Sequence, residues 1–104
     1  MSAVVYCSGD PDEKYFELIE GSSPAVIVLG ESQEQWTTLT LDFFSNNNIS
    51  AFFLPWNKMQ EVRVQSDFHK YPVVQFWRNK TCLAEVIGYR EHDLAKVVKL
   101  FHKR

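Results

Sequence analysis

Pro72-Val73-Val74-Gln75-Phe76-Trp77, then Arg78-Asn79-Lys80-Thr81, then Cys82-Leu83-Ala84-Glu85-Val86-Ile87, closed by Gly88, is the stretch that decides the fold. Two runs of strand length, rich in β-branched and aromatic residues, flank a short polar turn, which predicts a β-hairpin. C-terminal to it, Glu91 to Lys103 predicts an amphipathic helix, because Leu94, Val97, Val98 and Phe101 fall on one stripe. N-terminal to it, Asn57 to about Asp67 predicts a helix with Met59 and Val62 turned inward. Ile49 to Leu54 predicts a strand ended by Pro55.

Further from the hairpin, Pro24-Ala25-Val26-Ile27-Val28-Leu29 is an unbroken apolar run closed by Gly30. A run without alternation predicts a central strand buried on both faces. Ser32, with Gln35 three positions on, predicts a capped helix start, and the Asn46–Asn48 run its end. Trp36, Leu39, Phe43 and Phe44 recur along this helix at helical spacing, while Thr37, Thr38 and Thr40 oppose it through lost rotamer freedom. Ala3 to Cys7 predicts a first strand. Asp10 as N-cap and Pro11 at N1 open a helix over Asp12 to Glu20, with Tyr15, Phe16, Leu18 and Ile19 on one face and Gly21 at its end. The predicted order is β-α-β, α, β-α-β-β-α, in one α/β domain over residues 1–104.

Composition excludes several classes. With 104 residues, 45% hydrophobic and 14% aromatic, the chain has enough apolar area for one core, and the formal charge of −2 is not that of a disordered chain. It also lacks the basic excess of a general nucleic-acid binder, and Lys96, Lys99, Lys103 and Arg104 read as cations at the negative end of a terminal helix. No apolar run reaches the roughly 18–20 residues that span a bilayer. The start, Met1-Ser2-Ala3-Val4-Val5-Tyr6-Cys7, has no basic and apolar leader pattern, so the expected compartment is reducing and cytoplasmic. His69, His92 and His102 have no metal-ligand spacing, and Asp10, Asp12 and Glu13 read as helix-start acids, so no metal or other cofactor is expected.

The order of elements resembles the thioredoxin family: a mixed sheet with an N-terminal βαβ unit and a C-terminal ββα unit, flanked by helices. Ile49 to Gly88 is similar to a thioredoxin in spacing. Tyr71-Pro72 stands where that family has a cis-proline opening its fourth strand, Arg78-Asn79-Lys80 where it has a polar turn, and Gly88 where it keeps a glycine after the fifth strand. The resemblance implies the strand order 1-3-2-4-5.

At the junction where thioredoxins carry Trp-Cys-Gly-Pro-Cys, this sequence reads Leu29-Gly30-Glu31-Ser32-Gln33-Glu34-Gln35-Trp36. The family's chemistry uses a helix N-terminus to lower one thiol's pKa and a second thiol to resolve the mixed disulfide. Both are missing here, and the family's buried acid falls near Val28. Only Cys7 and Cys82 remain. In the implied fold they lie on opposite edge strands, roughly 19 Å apart, whereas a disulfide needs Cα atoms within about 7 Å. No bond between them is expected.

The resemblance implies no catalytic residue. It implies a redox-inactive module that docks a protein partner, in the role of an assembly factor or chaperone-like adaptor. The surface it implies comprises Glu31, Ser32, Gln33, Lys70, Tyr71, Pro72, Gly88 and Tyr89, three loops that converge in that fold and suit extended peptide. Two other classes stay open: a single-thiol or glutathione-linked enzyme using Cys7 or Cys82, and a structural protein that self-associates, for instance as a homodimer. Among the tryptophans, Trp77 is expected under a helix, and Trp56, between Pro55 and Asn57, is expected to be hard to bury.

Overall fold

The computed structural model describes residues 4–61 and 72–103. Its elements are β1 (Val5–Tyr6), α1 (Pro11–Glu20), β2 (Ala25–Gly30), α2 (Gln35–Asn46), β3 (Phe52–Pro55), a 3-10 turn (Trp56–Lys58), β4 (Val73–Arg78), β5 (Thr81–Ile87) and α3 (Glu91–His102). They build one five-stranded sheet in the order β1-β3-β2-β4-β5. The first three strands in that order run parallel, and β4 and β5 are antiparallel to their neighbours. The mixed α/β architecture is the one the sequence predicted, and the strand order is the one that the resemblance to thioredoxins implied.

All six residues of β2 are buried, as an apolar run without alternation requires of a strand covered on both faces. Val26 and Val28 join a core with Leu41 and Phe44 of α2 and Leu94 and Val97 of α3. Ala25, Ile27 and Leu29 join a second core on the opposite face, with Tyr15 of α1 and Trp56. Alternation along one strand therefore feeds two cores.

Local signals explain the ends of elements. The Asp10 side chain accepts from the Asp12 amide at 3.0 Å, with Pro11 in the first turn of α1. The hairpin turns at Asn79 and Lys80, both at positive φ (52° and 64°). A two-residue loop with both residues left-handed matches the twist of its strands. Pairing shifts at Phe76/Trp77, where Phe76 faces Ala84 and Trp77 faces Cys82, so Leu83 is an extra residue in β5.

Four sequence expectations are corrected. No α-helix begins at Asn57: Trp56–Lys58 is a single 3-10 turn, closed by the Met59 amide on the Trp56 carbonyl, and Met59 is extended. The rest of that predicted helix lies outside the described residues. The turn folds Trp56 back under the sheet, where it is only 6% exposed, so its place beside Pro55 does not keep it in solvent. The third strand starts at Phe52 and not at Ile49, because the Ile49 amide bonds back to the Phe44 carbonyl at the end of α2. The buried face of α2 is Thr37, Thr40, Leu41 and Phe44, while Trp36 and Leu39 are exposed. The threonines tolerate burial because Thr40 donates to the Trp36 carbonyl at 2.7 Å and Thr37 to the Glu34 carboxylate at 3.2 Å.

Two stability changes follow. Lys80→Gly relieves a left-handed lysine and should stabilise the fold by about 0.5–1 kcal/mol, read as a higher urea midpoint. Phe44→Ala should cost about 3–5 kcal/mol, because Phe44 is fully buried between α2 and the sheet.

Candidate functional site

The parallel strands β1, β3 and β2 end on the same side of the sheet as β4 begins and β5 stops, since Leu29 pairs with Val73 and Val73 with Ile87. In open α/β sheets, sites form beyond the carboxyl ends of the parallel strands. Glu31, Ser32, Gln33, Pro72, Gly88 and Tyr89 all leave the sheet at this end. Lys70 and Tyr71 lie outside the described residues, and so does the Tyr71–Pro72 peptide bond.

Gly88 and Pro72 meet directly: the Gly88 amide donates to the Pro72 carbonyl at 2.8 Å, and Gly88 has φ 86°, where a side chain would be strained. Tyr89 then stacks on Trp36 of α2, with ring centroids 5.8 Å apart and planes tilted by 30°. Trp36 remains 38% exposed and Leu39 37%, so an apolar surface opens beside this pair. The residues at Trp36 and Leu39 that the spacing assigned to a core are instead on the surface of the site.

Glu31, Ser32 and Gln33 lie toward β1. The Glu34 amide bonds to the Glu31 carbonyl and Gln33 takes φ 69°, making a tight turn before α2. This corrects the predicted cap: the N-cap is Glu34 and not Ser32. Ser32 is held in the turn, and the longer Glu34 side chain reaches over the helix start, where its carboxylate accepts from the Thr37 amide at 2.8 Å. A carboxylate on this amide also sits favourably on the positive end of the helix dipole. Gly30 makes the junction possible, because a Cβ there would lie 2.5 Å from the Thr37 hydroxyl oxygen.

Neither thiol is part of this helix start. Both are free, Cys7 partly buried and Cys82 exposed, on the opposite edges of the sheet. Partial burial pushes the Cys82 thiol up, and the nearby Glu85 carboxylate acts in the same direction, which leaves little nucleophilic thiolate at neutral pH. Cys7 shares a hollow of about 240 Å³ with Tyr6, Glu31, Ser32, Pro55 and Lys58.

Sequence reasoning missed two polar arrangements. Asp12 is 5% exposed, and its carboxylate accepts from the Gln60 amide at 2.8 Å, tying α1 to the segment after β3. An acid in a first turn looks the same whether exposed or buried, so no signal marked it. Gln75 did carry a signal that went unused, a polar residue within the apolar run of β4. Its side-chain oxygen accepts from the Tyr15 hydroxyl and the Trp77 indole, both at 2.9 Å, and its nitrogen donates to Glu85 at 2.8 Å.

No protein-family model and no curated protein matches the sequence. Among solved structures, a thioredoxin of Malassezia sympodialis, described as Mala s 13, a member of a pan-allergen family, is similar with a TM-score of 0.68. The likeness covers 97% of this chain and 92% of that one at 11% identity. No helix among the described residues is long and apolar enough to cross a membrane.

Replacing the cap, Glu34→Ala, should cost about 0.5–2 kcal/mol in urea unfolding. Burial raises the Tyr15 hydroxyl above the usual tyrosine range. The folded state thus favours the neutral phenol, a contribution present below the unfolded pKa and lost as pH rises through the folded one. Stability should therefore fall in the alkaline range above about pH 10, and Tyr15→Phe should flatten that fall. At this level of likeness the comparison shows the fold: the chain has a thioredoxin-like fold.

Proposed function

We propose that this chain is a redox-inactive thioredoxin-like module that binds a protein partner, as an assembly factor or chaperone-like adaptor in the reducing cytoplasm. The observation that carries the reading is the start of α2. In thioredoxins this position presents a thiolate to substrate; here the Thr37 amide of the helix start is engaged by the chain's own Glu34 carboxylate, at 2.8 Å. The junction from Leu29 to Trp36 holds no cysteine, and the exposed surface beside it is aromatic, Trp36 against Tyr89. Partly exposed tryptophan and tyrosine with a nearby backbone turn suit a docking surface better than a reaction centre. Pro72, Gly88 and the neighbouring Lys70 and Tyr71 belong to the same proposed surface, with Glu31, Ser32 and Gln33 on its β1 side. A protein is the partner class; no nucleic acid, membrane, metal or cofactor enters the reading.

The single-thiol alternative is disfavoured for Cys82 by the upward push on its thiol. Dithiothreitol-driven insulin reduction should proceed no faster than buffer with wild type, Cys7→Ser or Cys82→Ser. Turnover lost in one variant would identify a catalytic thiol and end the redox-inactive reading. Partner capture from lysate should fall at least about tenfold with Trp36→Ala, and unchanged capture would remove the aromatic surface from the account.

A further inference from the structure

The edge of the sheet at β1 offers a second surface, on the other side of α2 from Trp36 and Tyr89. Among the described residues β1 is an outermost strand whose only strand neighbour is β3. The Val5 amide donates to the Ala51 carbonyl, toward β3. Because main-chain groups alternate along a strand, the N–H and C=O of Tyr6 point to the open edge. The Tyr6 side chain is 67% exposed, the most exposed of the large hydrophobic residues described.

The two faces of this edge differ. On the α2 side, a hollow of about 90 Å³ is lined by Val4, Tyr6, Leu41 and Phe53, together with Thr37, Thr38 and Asp42 of α2 and Ser32 and Gln33 of the turn before it. On the α1 side, a hollow of about 240 Å³ is lined by Asp10, Glu13 and Glu17. The cation there, Lys14, is paired with Glu17 at 3.5 Å. The bias extends through the chain: residues 1–57 hold eight Asp and Glu against Lys14 alone, and residues 58–104 hold five against ten Lys and Arg.

We propose that the β1 edge docks an extended, lysine- or arginine-bearing segment of a partner protein, added as a sixth strand beside Tyr6. Side chains of a strand alternate between faces. A segment with apolar and basic residues in alternation places the apolar ones in the hollow beneath α2 and the basic ones against Asp10, Glu13 and Glu17. Main-chain pairing with Tyr6 supplies affinity and the two unlike faces supply register and charge selection. This surface is separate from the Trp36–Tyr89 pair, so either stands or falls without the other.

The test uses the full chain and acetylated heptapeptides titrated by amide chemical-shift mapping. The first is Lys-Val-Lys-Phe-Lys-Val-Lys, the second has glutamate for every lysine, and the third is the lysine peptide N-methylated at alternate amides. The lysine peptide should bind below about 1 mM with shifts centred on Val5, Tyr6 and Leu41, and weaken with salt. The glutamate and N-methylated peptides, and the exposed double variant Glu13→Lys/Glu17→Lys, should each bind at least about tenfold more weakly. Trp36→Ala should bind as wild type does. No binding of the lysine peptide overturns the proposal, and so does equal binding of the glutamate peptide. Equal binding of the N-methylated peptide removes strand addition, and loss in Trp36→Ala moves the peptide to the other surface; both overturn it. A wild-type dimer in which the Tyr6 amide is protected would put a second copy on this edge and overturn it as well.

Discussion

Everything in this fold is arranged around β2. It is buried along its whole length, pairs in parallel with β3 and antiparallel with β4, and sends alternate residues into both cores. A strand in this position has no tolerance for polar substitution, since any group placed there loses water on both faces. That explains Val28 in chemical terms: it is fully buried, in a strand whose every side chain feeds a packed core, and an acid there would need a proton-transfer role to justify its cost. The chain after β2 inherits the constraint. Gly30 must lack a side chain to let Thr37 close over the strand end, and Thr37 in turn receives the Glu34 carboxylate on both its amide and its hydroxyl.

The result is a junction built for structure. A helix start aimed at the end of a central strand is an anion seat by virtue of its free amides and dipole. In this chain the seat is filled from within by Glu34. The polar network of Tyr15, Gln75, Trp77 and Glu85 acts in the same spirit on the far side of the sheet, satisfying each of its buried groups and linking α1 to β4 and β5. The large hydrophobic side chains left exposed include Trp36, Leu39 and Tyr6.

The sequence was most legible where one periodicity dominated. The apolar run of β2, the hairpin about Asn79 and Lys80, and the stripe of α3 all read correctly, because burial or turn chemistry left one solution. It misled along α2, where two stripes compete. Trp36, Leu39 and Phe43 form the more apolar stripe, yet Thr37, Thr40 and Leu41 are the buried ones, with Thr37 packed so closely on Gly30 that a Cβ there would lie 2.5 Å from its hydroxyl oxygen. It also misled at Trp56, because a 3-10 turn reverses direction within three residues and buries a ring that an extended chain would expose. At the site, Gly88 and Pro72 were legible as turn and strand-opening residues, and they meet. Trp36 was not, because a surface aromatic at helical spacing looks like core until its neighbours are known.

The central claim is that the start of α2 remains an anion seat now occupied by Glu34. Its most direct test is the thiol titration of Glu34→Cys in a Cys7→Ser/Cys82→Ser background, followed by thiolate absorbance. The account predicts a thiol titrating well below the ordinary value of about 8.5, stabilised by the helix dipole and by the Thr37 amide that now holds the carboxylate. A thiol at or above that value in a folded protein would contradict it.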